Sequence, residues 1–248
     1  MTSTGILDSL RRALGVRRAS VPPGHSQSGE RPVALVYRGP TQEDRDCADT
    51  VVGLLADGPW GLEVRTTGPK GELPLSSATL ATARLYAQPG GGDLTPAYRQ
   101  LKPHRKAIRD FVGQGGRYLG FCLGGYLAGR EEGFGLLSGT VDQYIVTDGA
   151  TVTTEDDTLV DVAWRGQPRT LFFQDGAYFT PGPGQEATVL ATYTNGLAAA
   201  LVTPYGAGRV AVVGPHPEAT ADWFEDPRLP FHDTHDLALD LVGTVLAD

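Results

Sequence analysis

The chain has 248 residues, 40% of them hydrophobic and 20% charged, a composition typical of a folded globular protein with a sizeable core. Its formal net charge of -8 and pI of 5.1 argue against a nucleic-acid-binding protein, whose electrostatic footprint is basic. The 2 cysteines are too few for a disulfide-rich secreted scaffold and favour a reducing cytoplasm. No apolar run approaches the roughly 20 residues that span a bilayer, and no secretory signal pattern is found, so no integral membrane contact is expected.

The first 30 residues differ from the rest of the chain in composition and hydrophobic pattern. Residues 1–18 combine apolar side chains at helical spacing with arginines elsewhere, which predicts a short amphipathic helix. Such a helix packs on its own domain or frays, or it docks onto a partner protein or an anionic surface. Residues 19–30 are rich in Pro, Gly and Ser and are predicted to be a linker. We therefore divide the chain into an N-terminal segment, 1–30, and one domain, 31–248.

Strand and helix patterns alternate through the first half of this domain. Apolar and β-branched runs predict strands at 32–38, 62–67, 83–88 and 117–121, and helical patterns lie at 43–56 and 103–112. The alternation predicts a parallel sheet with helices on both faces. After residue 133, short strand candidates separated by Gly, Asp and Pro predict antiparallel additions or a small side layer. The segment 233–247 predicts a closing amphipathic helix.

Cys122 follows the predicted strand 117–121 within the motif Gly-Phe-Cys-Leu-Gly, and a helical pattern comes after it. A sharp strand-to-helix turn crowds the backbone, so Gly120 and Gly124 beside the cysteine favour a nucleophile elbow. The positive end of the following helix would favour the reactive thiolate. Free cysteine is also among the residue types most often buried, so this motif alone leaves a core role for Cys122 open.

His216 is the histidine most favourably placed to act as a base. It follows the apolar run Gly-Arg-Val-Ala-Val-Val-Gly, and ligands of open parallel sheets bind outside the carboxyl ends of the strands. We therefore expect His216 at the same sheet edge as Cys122, with Glu218 orienting the imidazole and stabilising its charged form. The alternative is that His216 is an ordinary loop residue without a catalytic role. The other histidines lie in the linker, in a charged helical pattern or near the closing helix.

The glycine-rich segment 88–93, which ends the third predicted strand, supplies the candidate oxyanion hole. Acyl chemistry needs backbone N–H donors where negative charge develops, each worth about 2.7–4 kcal/mol in a well-studied enzyme. We assign the N–H groups of Gly91 and Leu123 to this role. The alternative is that the three glycines only form a tight turn.

Three residues near these motifs, Gly92, Asp93 and Tyr126, are candidates for substrate binding. The segment 172–179, with its aromatic and polar side chains, is either a loop over the site or an aromatic strand edge. No metal site is expected, because no Cys or His cluster has structural spacing, and no Gly-Lys-Ser/Thr follows the glycines to form a phosphate loop. No cofactor is implied.

Taken in order, the Pro-Gly-Gly, Gly-x-Cys-x-Gly and His-Pro-Glu motifs resemble those of the class I glutamine amidotransferase superfamily. This resemblance implies a flavodoxin-like fold and a triad in which Cys122 is the nucleophile, His216 the base and Glu218 the orienting carboxylate. A closer resemblance is carried by segments 35–40, 88–94, 115–129 and 212–218, which are similar to the N-terminal domain of biotin–protein ligases, a domain that also occurs as a free-standing bacterial protein. No Gly-Arg-rich biotin-binding loop is found, so biotinylation is not expected to carry over.

The resemblance implies a cysteine-dependent hydrolase that cleaves an amide C–N bond of a small molecule or peptide through a thioester. Amidotransferases usually place Gln where this chain has Tyr126, which leaves glutamine as substrate open. An ammonia-accepting synthetase would be a separate partner protein, and residues 1–18 are a candidate docking segment. Two alternatives remain: a peptidase-like or other amide hydrolase without ammonia transfer, and a non-catalytic binding or regulatory module.

Overall fold

The computed structural model describes residues 31–247, so the helix and linker predicted within the first 30 residues lie outside the described part. The described chain forms a mixed sheet flanked by helices. Its strands are β1 Val33–Tyr37, β2 Glu63–Thr67, β3 Ala83–Gln88, β4 Arg117–Phe121, β5 Thr140–Gln143, β6 Thr158–Trp164, β7 Gln167–Phe173, β8 Ala177–Thr180, β9 Thr188–Tyr193, β10 Ala198–Tyr205 and β11 Gly208–Val213. Its α-helices are α1 Gln42–Asp57, α2 Ser77–Leu80, α3 Leu94–Leu101, α4 Arg105–Gly113, α5 Leu123–Leu127 and α6 His235–Leu246.

The sheet order is β2-β1-β3-β4-β11-β10-β9-β6-β7. The first five strands in this order are mutually parallel, whereas β10, β9, β6 and β7 continue the sheet in antiparallel pairs. Strands β5 and β8 pair with each other, and β8 also contacts β10. The predicted parallel first half and antiparallel additions are therefore confirmed. Because β3, β4 and β11 are parallel neighbours, their carboxyl ends lie side by side.

Side chains from alternate positions of β1 enter two separate cores. Ala34 and Val36 pack with apolar residues of α1 and α6, and Leu35 and Tyr37 pack with those of α2, α3, α4 and α5. Successive side chains of a strand point to opposite faces, so the helices cover both faces of the sheet. Burial on both faces explains why the parallel strands are nearly continuous apolar runs.

Helix α1 begins directly after the carboxyl end of β1 because Thr41 and Asp44 form a capping box. The Asp44 N–H donates to Thr41 Oγ1 at 3.1 Å, and the Thr41 N–H donates to Asp44 Oδ2 at 2.9 Å. The start of this helix packs against Gly91, where an added Cβ would lie 2.9 Å from the Asp44 nitrogen. With its φ of 97°, Gly91 also has a backbone conformation that favours glycine.

Several predicted elements differ from the structure. Helix α3 was not predicted, because Pro96 resembles a turn signal; it lies in the first helical turn, where proline is tolerated. Pro103 belongs to a short 3₁₀ turn that precedes α4. The helix after Cys122 has only 5 residues. Segment 172–179 is mostly strand, from β7 and β8, with a turn at 174–176 between them. Within residues 31–247, no helix is long and apolar enough to cross a membrane.

Candidate functional site

Cys122 occupies a strained turn between β4 and α5. Its φ of 44° and ψ of -104° are unusual for a residue with a side chain, and its N–H donates to the Val213 carbonyl at 2.9 Å. A Cβ on Gly120 would lie 2.4 Å from the Gly124 oxygen, and one on Gly124 would lie 2.0 Å from the Gln88 oxygen. The two glycines therefore permit the sharp turn that the motif predicted.

The Cys122 thiol is partly exposed and faces a cavity of about 890 Å³. Its Sγ–H donates to the Gln174 carbonyl at 3.5 Å. Because α5 is a little over one turn long, its field at the sulfur is weaker than that expected from a longer helix.

His216 follows β11 and lines the same cavity as Cys122. Its backbone N–H donates to the Phe172 carbonyl at 2.9 Å, which holds the residue against the end of β7. Nδ1 of the ring lies 2.9 Å from Oε1 of Glu218. The Trp223 ring packs against the imidazole with 5.0 Å between ring centroids. His216 is thus fixed by its backbone, by a carboxylate and by an aromatic wall.

The charge state of His216 depends on two opposing effects. Burial lowers the pKa of the imidazole, but the charges of Glu218 and Cys122, together with hydrogen bonds to both, outweigh it and raise the pKa from 6.5 to about 10. These surroundings therefore favour the imidazolium form of the ring. The second carboxylate oxygen of Glu218, Oε2, is buried and has no hydrogen-bond partner among the described residues.

The segment 90–92 lies against both the His216 ring and the start of α1. An added Cβ on Gly90 would lie 3.0 Å from His216 Cε1 and 3.6 Å from Cys122 Cβ. Gly91, Gly92 and Leu123 line the cavity. The Leu123 N–H belongs to the first turn of α5, where N–H groups have no partner within the helix. The two residues whose N–H groups were selected from the sequence, Gly91 and Leu123, therefore line the same cavity as Cys122.

Tyr126 forms a wall of the cavity and is tied to the turn at 174–176. Its hydroxyl donates to the Asp175 carbonyl at 3.0 Å, and Gln143 Nε2 donates to Asp175 Oδ2 at 2.9 Å. Burial, followed by the charge of Asp175, raises the pKa of Tyr126 well above its ordinary range, so the phenol stays neutral. Asp93, the other predicted substrate-binding side chain, lines the same cavity.

Gln174 and Asp175 line the cavity and belong to segment 172–179, for which a loop over the site was one of the two predicted alternatives, whereas Cys47 and Trp223 are among the lining residues that sequence reasoning missed. The Asp-Gly dipeptide that follows Gln174 is a turn signal and could have placed that segment at a strand end. Cys47 and Trp223 carry no such signal, because they reach the cavity through tertiary packing of α1 and of the segment after β11. Cys47 Sγ lies 3.7 Å from the position of a Cβ added to Gly90.

The cavity wall is strongly acidic. Among the described residues that line it, Arg130 is the only Lys or Arg, whereas carboxylates are contributed by Glu43, Asp93, Glu131, Glu132, Asp142, Glu155 and Asp175. Asp175 combines a positive φ of 44° with a buried Oδ1 atom that has no hydrogen-bond partner in the described chain.

Comparison with known proteins finds several that are similar to this chain. Residues 76–142 match the family model described as the N-terminal part of biotin–protein ligase, a span that contains Cys122 but not His216. The chain is 28% identical over 157 residues to the imidazole glycerol phosphate synthase subunit HisH of Cyanothece sp., covering 58% of this chain and 74% of that protein. It is 29% identical over 189 residues to HisH of Microcystis aeruginosa, covering 70% and 87%.

Two solved structures share the fold at low sequence identity. An exo-β-1,4-mannosidase from an Opitutaceae bacterium has a TM-score of 0.54 and 17% identity; the match covers 98% of this chain but only 38% of the mannosidase. A ThuA-like protein from Bacteroides uniformis has a TM-score of 0.52 and 13% identity, covering 91% of this chain and 96% of that one. At these identities the likeness concerns the fold alone.

Proposed function

We propose that this chain, which belongs to the class I glutamine amidotransferase-like superfamily and has similarity to the biotin–protein ligase N-terminal domain, is a cysteine-dependent hydrolase of an amide C–N bond. One observation carries the proposal. A partly exposed thiol, Cys122, sits on a strained strand-to-helix turn beside a protonated His216, whose ring is held by the buried Glu218. Backbone strain at a residue that faces a cavity is a feature of functional sites.

In the proposed first half-reaction, Sγ of Cys122 attacks the amide carbonyl carbon as the thiolate. His216, as imidazolium, donates a proton to the departing nitrogen, so the C–N bond breaks and an amine or ammonia leaves. The product on the enzyme is a thioester at Cys122. Glu218 holds the ring through Nδ1 and stabilises its positive charge.

In the second half-reaction, the now neutral His216 takes a proton from water. The resulting hydroxide attacks the thioester carbonyl, the C–S bond breaks and the Cys122 thiolate is restored with release of the acid. We assign the N–H groups of Gly91 and Leu123 to the negative oxygen that forms in both halves. Gly92, Asp93 and Tyr126 are proposed to contact the substrate, since all three line the cavity.

The sheet supports a finer assignment of architecture. Its parallel part has the order 2-1-3-4-11, which corresponds to the flavodoxin-like order 2-1-3-4-5 with helices on both faces. We therefore propose a flavodoxin-like three-layer sandwich with an antiparallel extension, formed by a domain that occupies 31–248 after an N-terminal segment 1–30. Both Cys47 and Cys122 are free thiols, which fits the reducing cytoplasm proposed as its compartment.

The test is hydrolysis of amides by the full chain, with ammonia or amine release as the readout. Cys122→Ala and treatment with iodoacetamide are each expected to abolish turnover, and Cys47→Ser serves as the matched control that retains it. Activity that survives both the alanine variant and alkylation would falsify the thioester mechanism and favour a non-catalytic role for the cysteine.

Glutamine is one candidate substrate, and the HisH relatives are named as subunits of a synthase. By that analogy a separate synthetase would accept the ammonia, with residues 1–18 as a candidate docking segment. Tyr126 favours a second candidate, an amide hydrolase without ammonia transfer, because its ring occupies the position usually given to glutamine and its hydroxyl is bonded to Asp175. Ammonia release from L-glutamine distinguishes the two.

A further inference from the structure

The imidazole of His216 has two aromatic side chains as neighbours. The Trp223 ring lies 5.0 Å from it between centroids, and the Phe172 ring lies 6.0 Å from it. A cation within about 6 Å of an aromatic centroid is attracted by the ring's quadrupole, and tryptophan attracts it most strongly. Because the surroundings of His216 favour the imidazolium form, these rings lie beside a positive charge rather than a neutral ring.

Trp223 is held against the imidazole by the path of the chain that follows β11. The backbone turns directly after His216, where the Ala219 N–H donates to the His216 carbonyl at 3.2 Å. A 3₁₀ turn at Ala221–Trp223 comes next, and the Trp223 N–H donates to the Thr220 carbonyl at 3.0 Å. These local bonds bring the indole back to the ring at which the segment began.

Phe172, at the end of β7, contacts both rings and fixes their relative positions. Its ring meets that of Trp223 edge-on, with 5.4 Å between centroids and 86° between planes. Edge-to-face pairs at this separation are a favourable aromatic arrangement. Phe172 is 4% exposed, and its carbonyl accepts from the His216 N–H. The same residue therefore holds the backbone of the histidine and the indole beside its side chain.

The titratable groups around His216 come from separate segments of the chain: Glu218, Cys122, Cys47 and Asp157. Glu218 is bonded to Nδ1, so the hydrogen bond between the ring and Cys122 uses the other nitrogen, Nε2. Trp223 is uncharged and lines the cavity. Its side chain can therefore be changed without altering any of these charges.

We propose that Trp223 is a positioning residue of the reaction, whose indole holds the His216 ring toward Cys122 and favours the imidazolium form through a cation–π contact. This inference rests on the function proposed above, because only the imidazolium can give a proton to the departing nitrogen. Trp223 acts through His216 and needs no contact with the substrate. Without the indole face, His216 stays bonded to Glu218 but holds its proton less tightly.

The test compares Trp223→Leu with Trp223→Phe, because both shorten the side chain and only phenylalanine keeps an aromatic face. The pH titration of the His216 Cε1–H signal is followed by NMR in the reduced, intact chain, and His216→Gln identifies the signal among those of the 5 histidines. We expect the midpoint in Trp223→Leu to fall by about half a pH unit or more, and the midpoint in Trp223→Phe to fall by less. The midpoint is compared rather than the chemical shift, because any loss of ring current changes the shift. If Trp223→Leu does not fold, Trp223→Met, which also lacks an aromatic face, takes its place.

Phe224→Leu is the matched control. Phe224 is partly buried and packs edge-on against Phe172 and Phe231, so its loss weakens the same aromatic cluster. We expect this variant to have a lower Tm and an unchanged His216 midpoint. A wild-type midpoint in Trp223→Leu, equal shifts in the leucine and phenylalanine variants, or the same shift in Phe224→Leu overturns the role of Trp223 and leaves the proposed hydrolase intact. Failure of iodoacetamide to alkylate Cys122 in the wild-type chain counts instead against the proposed function.

Discussion

Nδ1 of His216 lies 2.9 Å from Oε1 of Glu218, and the two side chains are 3% and 1% exposed. A buried carboxylate at hydrogen-bond distance stabilises the charged imidazole in the folded protein only, since both groups are solvated in the unfolded chain. The pair therefore links the charge of the candidate base to the stability of the fold.

The first prediction concerns the pH dependence of stability. Because the folded-state pKa of His216 is raised from 6.5 to about 10, its stabilising contribution is complete below pH 6.5 and is lost as the pH rises through the folded value. Glu218→Gln removes the main raising charge and should make the decline shallower between those values. Urea unfolding across this pH range measures the slope. Glu225→Gln, at an exposed carboxylate, should keep the wild-type slope; an unchanged slope in Glu218→Gln contradicts the assignment.

A second prediction follows from the backbone strain at Cys122. Placing a Cβ in its conformation costs about 1–3 kcal/mol, whereas glycine loses about 0.5–1 kcal/mol in conformational entropy. We therefore expect Cys122→Gly to be more stable than Cys122→Ala by about 1 kcal/mol, as measured by urea unfolding. At Ala81, an exposed position with a φ of -63°, substitution by glycine should lower stability instead. The opposite order of the two Cys122 variants would show that the turn is not strained.

Gly90 and Gly91 should respond differently to substitution by alanine. The Cβ of Gly90→Ala would meet His216 Cε1 at 3.0 Å, so we expect thiol alkylation and amide hydrolysis to slow, on the order of tenfold, with a small change in Tm. The Cβ of Gly91→Ala would meet the backbone of α1 at a φ of 97°, so the expected effect is a loss of about 1–3 kcal/mol in stability. Thermal melts and iodoacetamide kinetics on both variants separate the two effects. If the Gly90→Ala and Gly91→Ala variants are destabilised equally, Gly90 does not act mainly on reactivity and Gly91 mainly on stability.

The two cysteines are expected to differ in reactivity although both line the cavity. Burial, together with the charges of Glu218 and Cys122, raises the pKa of the Cys47 thiol well above its ordinary range, so Cys47 remains protonated at neutral pH. Limited iodoacetamide should therefore label Cys122 and spare Cys47, as read by peptide mass spectrometry. Denatured protein, in which both thiols are solvated, is the control and should label at both. Preferential labelling of Cys47 in the folded protein contradicts the prediction.

Much of the fold was predictable because its signals are local. The parallel strands are buried on both faces, so they appear as apolar runs, and glycines mark the turns where an added Cβ would collide with backbone. Helix α3 was missed because its first turn contains a proline, which by sequence alone equally suggests a loop. The shortness of α5 was likewise not apparent from its composition.

The residues selected for the site were found from the rule that neighbouring parallel strands end at one edge. All of them except Glu218 line one cavity, and Glu218 is buried beside His216. By itself, the sequence determined the parallel core, the order of the three motifs and the glycine-bounded turn at Cys122, because each depends on nearby residues. Only the tertiary structure decided the cavity walls: Cys122 meets Gln174 across 52 residues of chain, and Tyr126 meets Asp175 across 49. Contacts between such distant segments depend on strand pairing and helix packing, and no local pattern encodes them. The acidic lining arises in the same way, since its carboxylates come from separate segments that only the folded sheet brings together.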